Sequence, residues 1–597
     1  MMEVNTKSFG EKTVECDLCV VGGGLAGMCA AISAARRGVK VVLLQDRPVL
    51  GGNASSEVRM WVRGAGLHFP LYREGGIVEE LAMDNTFLNP EMQYPLWDAV
   101  LYEKVVSEKN IDLYLNTSCI SAQPENGTIR SVTAWRMTSY TFLTVKAKYF
   151  ADCSGDSILA ETTGANFRLG REGKAEFGEK GAPNQPDTKT MGNSCLLQAR
   201  ERDHEIKFVA PSFAWKFQDG DFAYRLGNRI DLSGENFWWL EIGGDGESLK
   251  NADEYNQELI ARAYGAWDYI KNSGKYPESA NWELDWVGFL AGKRESRRYE
   301  GDIILTQNDL ETARAFDDEV AYGGWGLDDH NPKGVKTTEP PNVNYAMNAP
   351  YPVPYRALYS NNIDNLFFAG RNISATHMAL SSTRVMATCA IFGQAVGTAA
   401  SIANKYGISP RGVLDKIDEL QQALRDDDCY LLHTPRKISK TILKANSNLT
   451  DEQKTALFNG IEREVDEGTK PAVFALGAPC EFTFAPTAVK SVRIVFDNDL
   501  ARKSYPKSQY YGARCYPNKC ATPIDGFVAY MPPCFTKAYS VEVLCDGVWT
   551  TVKKEKENKS RLVKIPVDKT IEGVRLINEQ TYGESQARVF SVDIVTD

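Results

Sequence analysis

The chain has no excess of positive charge. It sets 78 acidic side chains against 68 lysines and arginines in 597 residues, a formal net charge of −10. Proteins that bind nucleic acid need a basic footprint to neutralise phosphates, so the charge balance argues against that class. Cysteine is sparse as well. Thirteen in a chain of this length, and an odd number, do not make a disulfide scaffold. No apolar run opens the chain: MMEVNTKSFGEKTVE carries five charged side chains, so it has no signal-peptide core. One stretch, 385–404, is long and uncharged enough to suggest a membrane span. Its many Ala and Gly residues, with Thr388, Gln394 and Thr398, read instead as a buried helix. The expectation is a reduced, cytoplasmic protein, with the mature form of an exported protein as the alternative. Internal repeats are absent, and histidine is scarce.

What is present is ordinary globular composition, with 43% hydrophobic and 24% charged residues, which excludes collagen-like, low-complexity and disordered chains. The length allows three to five domains. Over the first 160 residues, strand-like runs (17–21, 39–44, 111–116) alternate with helix-like ones (27–37, 96–110). This alternation predicts a parallel sheet covered by helices. Two further runs, 129–135 and 142–150, read as antiparallel strands. Between about 165 and 350 the pattern is mixed and holds Trp215, Trp238, Trp239, Trp267, Trp282, Trp286 and Trp325, seven of the eleven tryptophans. From 365 a strand, a Gly turn and a small-residue helix return. After 470, short alternating segments separated by turns predict an antiparallel β-sandwich. The expected fold class is therefore α/β. Residues 1–165 and 355–430 form a discontinuous Rossmann-like domain, 166–354 an α+β insert, 431–470 a linker and 471–597 an all-β sandwich.

The sharpest motif is GGGLAG at 22–27, which follows a strand and precedes a helix. In this context Gly22 permits the tight turn, Gly24 lets the backbone approach a pyrophosphate, and Gly27 allows close helix–strand contact. The helix N-terminus then offers free N–H groups to the anion. An acidic residue normally ends the second strand and holds the ribose. Here the spacing places Gln45 there with Asp46 next, and either could serve. Two features favour FAD over NAD. The Gly51-Gly52 loop after the second strand can wrap the diphosphate from the other side. The later strand–turn–helix at 366–397 offers a second helix terminus whose dipole suits an anionic reduced flavin. No second G-x-G-x-x-G stands in a strand–helix context.

Together, residues 20–27, the LGGNASS run at 50–56, DCSGD at 152–156, GKRESRR at 292–298 and AGRNISATHMALSSTR at 369–384 resemble the FAD-dependent oxidoreductases related to succinate dehydrogenase and fumarate reductase flavoproteins. The resemblance spans about 15–405. It implies FAD contacts at Gly22, Gly24, Gln45 or Asp46, Gly51, Gly52, Ser55, Arg59, Cys119 (through its backbone), Ser154, Gly155, Arg371 and Arg384. In fumarate-reductase relatives a histidine soon after the Gly-Gly loop can carry covalent flavin. Here the loop reads NASSE and the nearest histidine is His68, so non-covalent FAD is expected. The C-terminal region resembles a galactose-binding-like module.

Oxidising a C–H bond with a flavin needs a group to take the accompanying proton. Of the five histidines, His377 lies between the Gly turn and the flavin-side helix and is the first candidate. His330, in the loop GGWGLDDH at 323–330, is the second, with Asp329 able to orient an imidazole or bind hydroxyls. His68 is a third, and His204 and His433 read as surface or packing residues. In the run 292–298, Arg294 or Arg298 could face the substrate or could simply form a salt-bridged element. Trp238 and Trp239 would point to opposite faces of a strand, so at most one can line a cleft. No metal is expected, because Cys16-x-x-Cys19 lies inside a strand without loop or partner ligands. The leading expectation is hydride removal from a hydroxyl-bearing carbon of a sugar or sugar-like substrate. The alternatives are a fumarate-reductase-like ene-reductase with Arg294, Arg297, Arg298 and Arg384 clamping a carboxylate, and a non-catalytic flavin-containing carbohydrate-binding protein. The electron acceptor is not legible.

Overall fold

The first strand feeds a helix and a second strand in the order expected for a nucleotide-binding unit. A computed structural model describes residues 9–222, 224–227, 230, 232, 237–466, 468–505 and 528–596. Part of the charged N-terminal stretch, and parts of the insert and of the β-sandwich region, lie outside them. Strand β1 (Gly10–Val21), helix α1 (Leu25–Arg36) and β2 (Val41–Leu44) are followed by α2 (Ile77–Leu88), β3 (Ile111–Tyr114), β4 (Thr117–Glu125), β5 (Thr128–Arg136) and β6 (Thr141–Asp152). The sheet order is β3-β2-β1-β6-β5-β4. Strands β3, β2, β1 and β6 run parallel, while β5 and β4 are antiparallel additions. Strand β1 is longer than its apolar stretch suggests. Residues 18–21 are buried, but the exposed polar half pairs onward along β6 from Gly10↔Thr141. Hydrophobicity marks only the buried part of such a strand; the backbone ladder continues past it.

Within the insert, α3 (Ala252–Asn272) packs with β7 (Leu197–Glu201) and β8 (Trp282–Val287) around Phe237, Trp239 and Trp267, the last fully buried. Much of the tryptophan content is therefore core. Strand β9 (Leu327–His330) pairs with β10 (Asn342–Tyr345), so that Asp328 stands opposite Asn344 and His330 opposite Asn342. The chain then returns through β11 (Leu366–Phe368), which runs parallel to the last residues of β6. It continues into α4 (His377–Thr383) and α5 (Met386–Tyr406). The sequence marks the second of these as a long small-residue helix; the short α4 forms ahead of it, and the two are parted at Arg384 and Val385.

Helix α5 is the stretch long and apolar enough to cross a membrane, yet 89% of its apolar window is buried inside the protein. Its small residues let α1 approach. A Cβ at Gly393 would lie 1.9 Å from the Ala26 carbonyl oxygen, and one at Gly397 would lie 2.1 Å from that of Ala30. Ser33 and Thr398 share a hydrogen bond of 2.8 Å across this contact.

The C-terminal strands β12 (Ala472–Ala475), β13 (Pro479–Phe496), β14 (Thr536–Cys545), β15 (Val548–Glu555), β16 (Leu562–Thr581) and β17 (Gln586–Val595) form one antiparallel sheet in the order β12-β17-β13-β16-β14-β15. Register breaks between Thr483 and Thr487 and between Val489 and Ser491 interrupt the long β13–β16 ladder. Such irregularities bend strands, so one sheet can curl around the core of Phe482, Phe496, Tyr539 and Ile571. The stretch 431–470 is not a loose tether. Ile442, Leu449 and Leu457 enter that same core, and Arg436, Glu462 and Arg463 are buried.

Candidate active site

A cleft of about 900 Å³ opens at the carboxyl ends of β1, β2 and β6, and it extends into the insert. At its floor Gly22 has φ +105°, and a Cβ there would lie 2.5 Å from the Cys153 carbonyl oxygen. A Cβ on Gly27 would lie 1.8 Å from the Gly22 carbonyl oxygen, so Gly27 serves helix–strand contact and does not itself line the cleft. Gly24 differs, because the nearest atom to an added Cβ is Gly52 Cα at 3.9 Å. Gly24 is also the N-cap of α1, which has no side-chain cap and no acidic residue in its first turn. An open backbone at an uncapped helix N-terminus is what a pyrophosphate requires, so these residues fit a dinucleotide.

Gln45 lines the cleft and gives one hydrogen bond from each end of its amide to the loops beside it. Its Oε1 accepts from the Gly23 N–H (2.8 Å) and its Nε2 donates to the Val49 carbonyl (2.9 Å), so both ends hold the loops together. Asp46, exposed and in the cleft wall, is the carboxylate available to a ribose. Gly51 and Gly52 line the cleft in left-handed conformation. Ser55 is fully buried behind them and donates to the Gly52 carbonyl (2.7 Å), so it shapes the loop from outside the cleft. Arg59 lies outside too, with its guanidinium over the rings of Trp286 (4.3 Å) and Tyr94 (4.7 Å). Cys119, Ser154 and Gly155 line the cleft. Asp156 beside them takes Arg371 (2.5 Å) and Lys293 (2.7 Å). Burial alone would raise the Asp156 carboxyl, but these two cations outweigh it and hold it at about 2.

The second helix terminus at the cleft belongs to α5. Helix α4 is closed off by the Thr376 hydroxyl, which accepts from the Ala379 N–H (3.1 Å), and by Glu172, which accepts from the His377 N–H (2.8 Å). Helix α5 starts with no side-chain cap, and Val385, Met386 and Cys389 line the cleft.

At the insert end, a chain of alternating charge crosses the wall. Arg294 Nη1 lies 3.3 Å from Glu241, and Glu241 lies 2.6 Å from His330 Nδ1. His330 Nε2 lies 3.1 Å from Asp328, and Asp328 accepts from Arg384 Nη2 (3.1 Å) and Asn342 Nδ2 (2.5 Å). Burial opposes the charge on Asp328, yet His330, Arg384 and Asn342 keep its carboxyl well below the usual range. Trp61, Trp238 and Trp325 line the cleft, and Trp238 meets the His330 ring edge-on at 5.2 Å. Its neighbour Trp239 is in the insert core. Glu241 and Asn342 had no signal in the sequence, because neither stands in a spaced motif. Asp328 sat in the DDHN run, one residue from the aspartate singled out.

Among the catalytic candidates, His377 and Arg298 do not line the cleft. His377 is buried, with Nδ1 2.9 Å from Glu295 and Nε2 3.0 Å from Asp329. Asp329 does orient an imidazole, but that of His377. Arg298 is fully buried and donates to the carbonyls of Ala375 (3.0 Å) and Gly170 (2.7 Å) and to Glu172 (2.8 Å), besides pairing with Glu295. It packs the insert against the nucleotide-binding sheet. Among the other histidines, His68 lies 5.6 Å from the Trp325 ring, His204 is exposed on Asp203, and His433 binds Glu319.

A glycine-cradled cleft at the carboxyl ends of a parallel sheet, with a chain of alternating charge at its far end, is the architecture of a dinucleotide-binding protein. The family model for FAD dependent oxidoreductases matches residues 17–424, and the chain belongs to that family. Its cofactor is FAD. A glycerol-3-phosphate dehydrogenase of Mycobacterium leprae (strain TN) is 36% identical over 88 residues, 14% of this chain; the match spans only 15% of that relative. Among solved structures, E. coli quinol fumarate reductase FrdA is 12% identical over 70% of this chain and 75% of its own, with TM-score 0.26. A family 32 carbohydrate-binding module from Streptococcus pneumoniae EndoD is 16% identical over 27% of this chain and all of its own, with TM-score 0.19.

Proposed function

We propose that this flavoenzyme oxidises a hydroxyl-bearing carbon of an uncharged, sugar-like polyol. The observation that carries this is the pairing of the cleft arginines. Arg294 is bound to Glu241 and Arg384 to Asp328, so neither is a bare cation awaiting a carboxylate. The other members of an anion clamp do not converge there, since Arg297 pairs with Glu161 and Arg298 is buried on Glu172 and Glu295. Trp238, edge-on to His330, and Trp61 and Trp325 in the same cleft instead offer flat apolar faces beside hydrogen-bonding groups. That combination suits the C–H faces and hydroxyls of a sugar.

Gly22, Gly24, Gly51, Gly52, Cys119, Ser154 and Gly155 would hold FAD through backbone and close packing. Asp46 would take the ribose, and Arg371 the side of Asp156. FAD, when bound, supplies the two-electron acceptor for the hydride. His330 takes the hydroxyl proton. At rest both His330 nitrogens face carboxylates, Nδ1 at 2.6 Å from Glu241 and Nε2 at 3.1 Å from Asp328. An incoming hydroxyl replaces the longer contact, and Nε2 gives up its proton as that carboxylate is displaced. The ring, still donating to Glu241 through Nδ1, then takes the hydroxyl proton on Nε2.

Anaerobic mixing tests this. Neutral aldoses and polyols should bleach the bound flavin, whereas small carboxylates should not. Oxidation of the pre-reduced enzyme by an enoate, with no response to any neutral sugar, would replace this function by ene reduction.

A further inference from the structure

We propose that His377 is a positioning residue that, with Arg384 at the opposite end of α4, clasps β9 and so holds His330 and Asp328 in the cleft. The proposal rests on His330 as the proton acceptor. His377 is the first residue of α4 and Arg384 its C-cap. Side chains alternate along a strand. Asp328 and His330 accordingly line the cleft, whereas Asp329 between them faces away and meets His377 Nε2 at 3.0 Å. Arg384 takes Asp328 from the cleft side, through both its carboxylate (3.1 Å) and its carbonyl (3.0 Å). One short helix thus grips two consecutive residues of β9 from opposite faces.

The other ring nitrogen extends the clasp to a second segment. His377 Nδ1 lies 2.9 and 3.1 Å from the two oxygens of fully buried Glu295. The residue before Glu295 is Arg294, which enters the cleft and meets Glu241, the carboxylate that holds His330 Nδ1. His377 therefore ties together, behind the cleft, the two segments that carry the ends of the charge chain in front. Both of its nitrogens face carboxylates, and both must donate, so the ring is an imidazolium. Glu172 on its backbone N–H and Glu179 on Thr376 add negative charge, while Arg298 on Glu295 and Glu172 opposes it. Burial disfavours the imidazolium, but Glu295 and Asp329 outweigh it and carry His377 up to about 10. An imidazolium locked this way does not exchange protons with substrate, so its part is geometric.

With only five histidines, the FAD-loaded enzyme labelled with [15N]histidine reports the state of each ring. Wild type should show His377 doubly protonated through pH 9 and the His330 Nδ1 proton held on Glu241. In His377→Gln and Asp329→Asn, the His330 ring shifts should move away from their wild-type values while FAD absorbance and melting temperature are retained. Should His377→Gln fail to fold, Asp329→Asn, which leaves His377 on Glu295, decides alone. His330 shifts unchanged from wild type in an FAD-retaining variant would overturn the clasp. So would loss of fold and FAD together in both variants, which would reduce His377 to a purely structural role. No substrate is added, so a silent sugar panel would remove the polyol assignment and leave this coupling standing.

Discussion

At the scale of single residues, the site divides into groups that the sequence displays and groups that only folding assembles. The glycines at 22 and 27 were legible because the surrounding backbone leaves no room for a Cβ there, while Gly24 keeps the backbone open toward the cleft. Gly27→Ala should abolish FAD retention, since its Cβ would sit 1.8 Å from the Gly22 carbonyl oxygen, against backbone. The ratio of flavin absorbance to protein after gel filtration checks this. His330→Asn should keep FAD and lower the rate of flavin reduction by polyol by about 10²–10⁴-fold, the usual worth of a positioned base. Stopped-flow absorbance would measure it, and a rate within threefold of wild type would remove His330 from the chemistry. His377 was the stronger candidate on sequence because it stands next to the flavin-side helix. Chain proximity cannot show which way a side chain turns, and two carboxylates 82 and 48 residues away, Glu295 and Asp329, turn it from the cleft. Glu241 was illegible for the same reason, as its partner His330 is 89 residues distant.

At the scale of elements, the apolar stretch 385–404 was read as a buried helix, and that helix does begin at Met386; the short helix ahead of it was not anticipated. The break at Arg384 has no Pro or Gly to announce it. It follows from Arg384 reaching Asp328 while Val385 turns extended to begin α5. The spacing of Gly393 and Gly397 is explained by the α1 backbone pressed against them. Gly397→Ala should therefore destabilise the protein by at least about 1–3 kcal/mol, the ordinary cost of overpacking, because the obstructing atom is the Ala30 carbonyl oxygen at 2.1 Å. Urea unfolding of the FAD-loaded protein would register it. By contrast Gly407→Ala adds a Cβ that meets nothing within 4 Å, so any cost there comes from its φ of +64° alone.

At the scale of the whole molecule, the C-terminal sheet is joined to the nucleotide-binding part by buried charge. Arg493 of β13 is fully buried and grips Glu462 with both guanidinium nitrogens, at 2.6 and 2.9 Å. Arg436 reaches Asp593 of β17 (2.6 Å), and Arg502 joins Arg73 on Glu79 of α2. Removing one partner of such a pair strands a buried charge, so Arg493→Met should cost about 3–5 kcal/mol. The same network sets the pH range of the fold. Burial would raise Glu462, but Arg493 and Arg436 hold it at about 2, below its ordinary 4.5. A depressed carboxylate stabilises fully above its unfolded value, and that contribution is lost as pH falls through the folded one. Its window is therefore about 4.5 down to 2. His377 has the opposite sign. Raised from 6.5 to about 10, it stabilises fully below 6.5 and loses that contribution as pH climbs to 10. Stability should therefore peak between about 4.5 and 6.5 as far as these two groups decide, with two separable limbs. Glu462→Gln should flatten the acid limb and leave the alkaline one, and His377→Gln should do the reverse, read from urea midpoints across pH. An alkaline limb equally steep in His377→Gln would mean that the histidine is not held as an imidazolium, and the clasp on β9 would lose its charge.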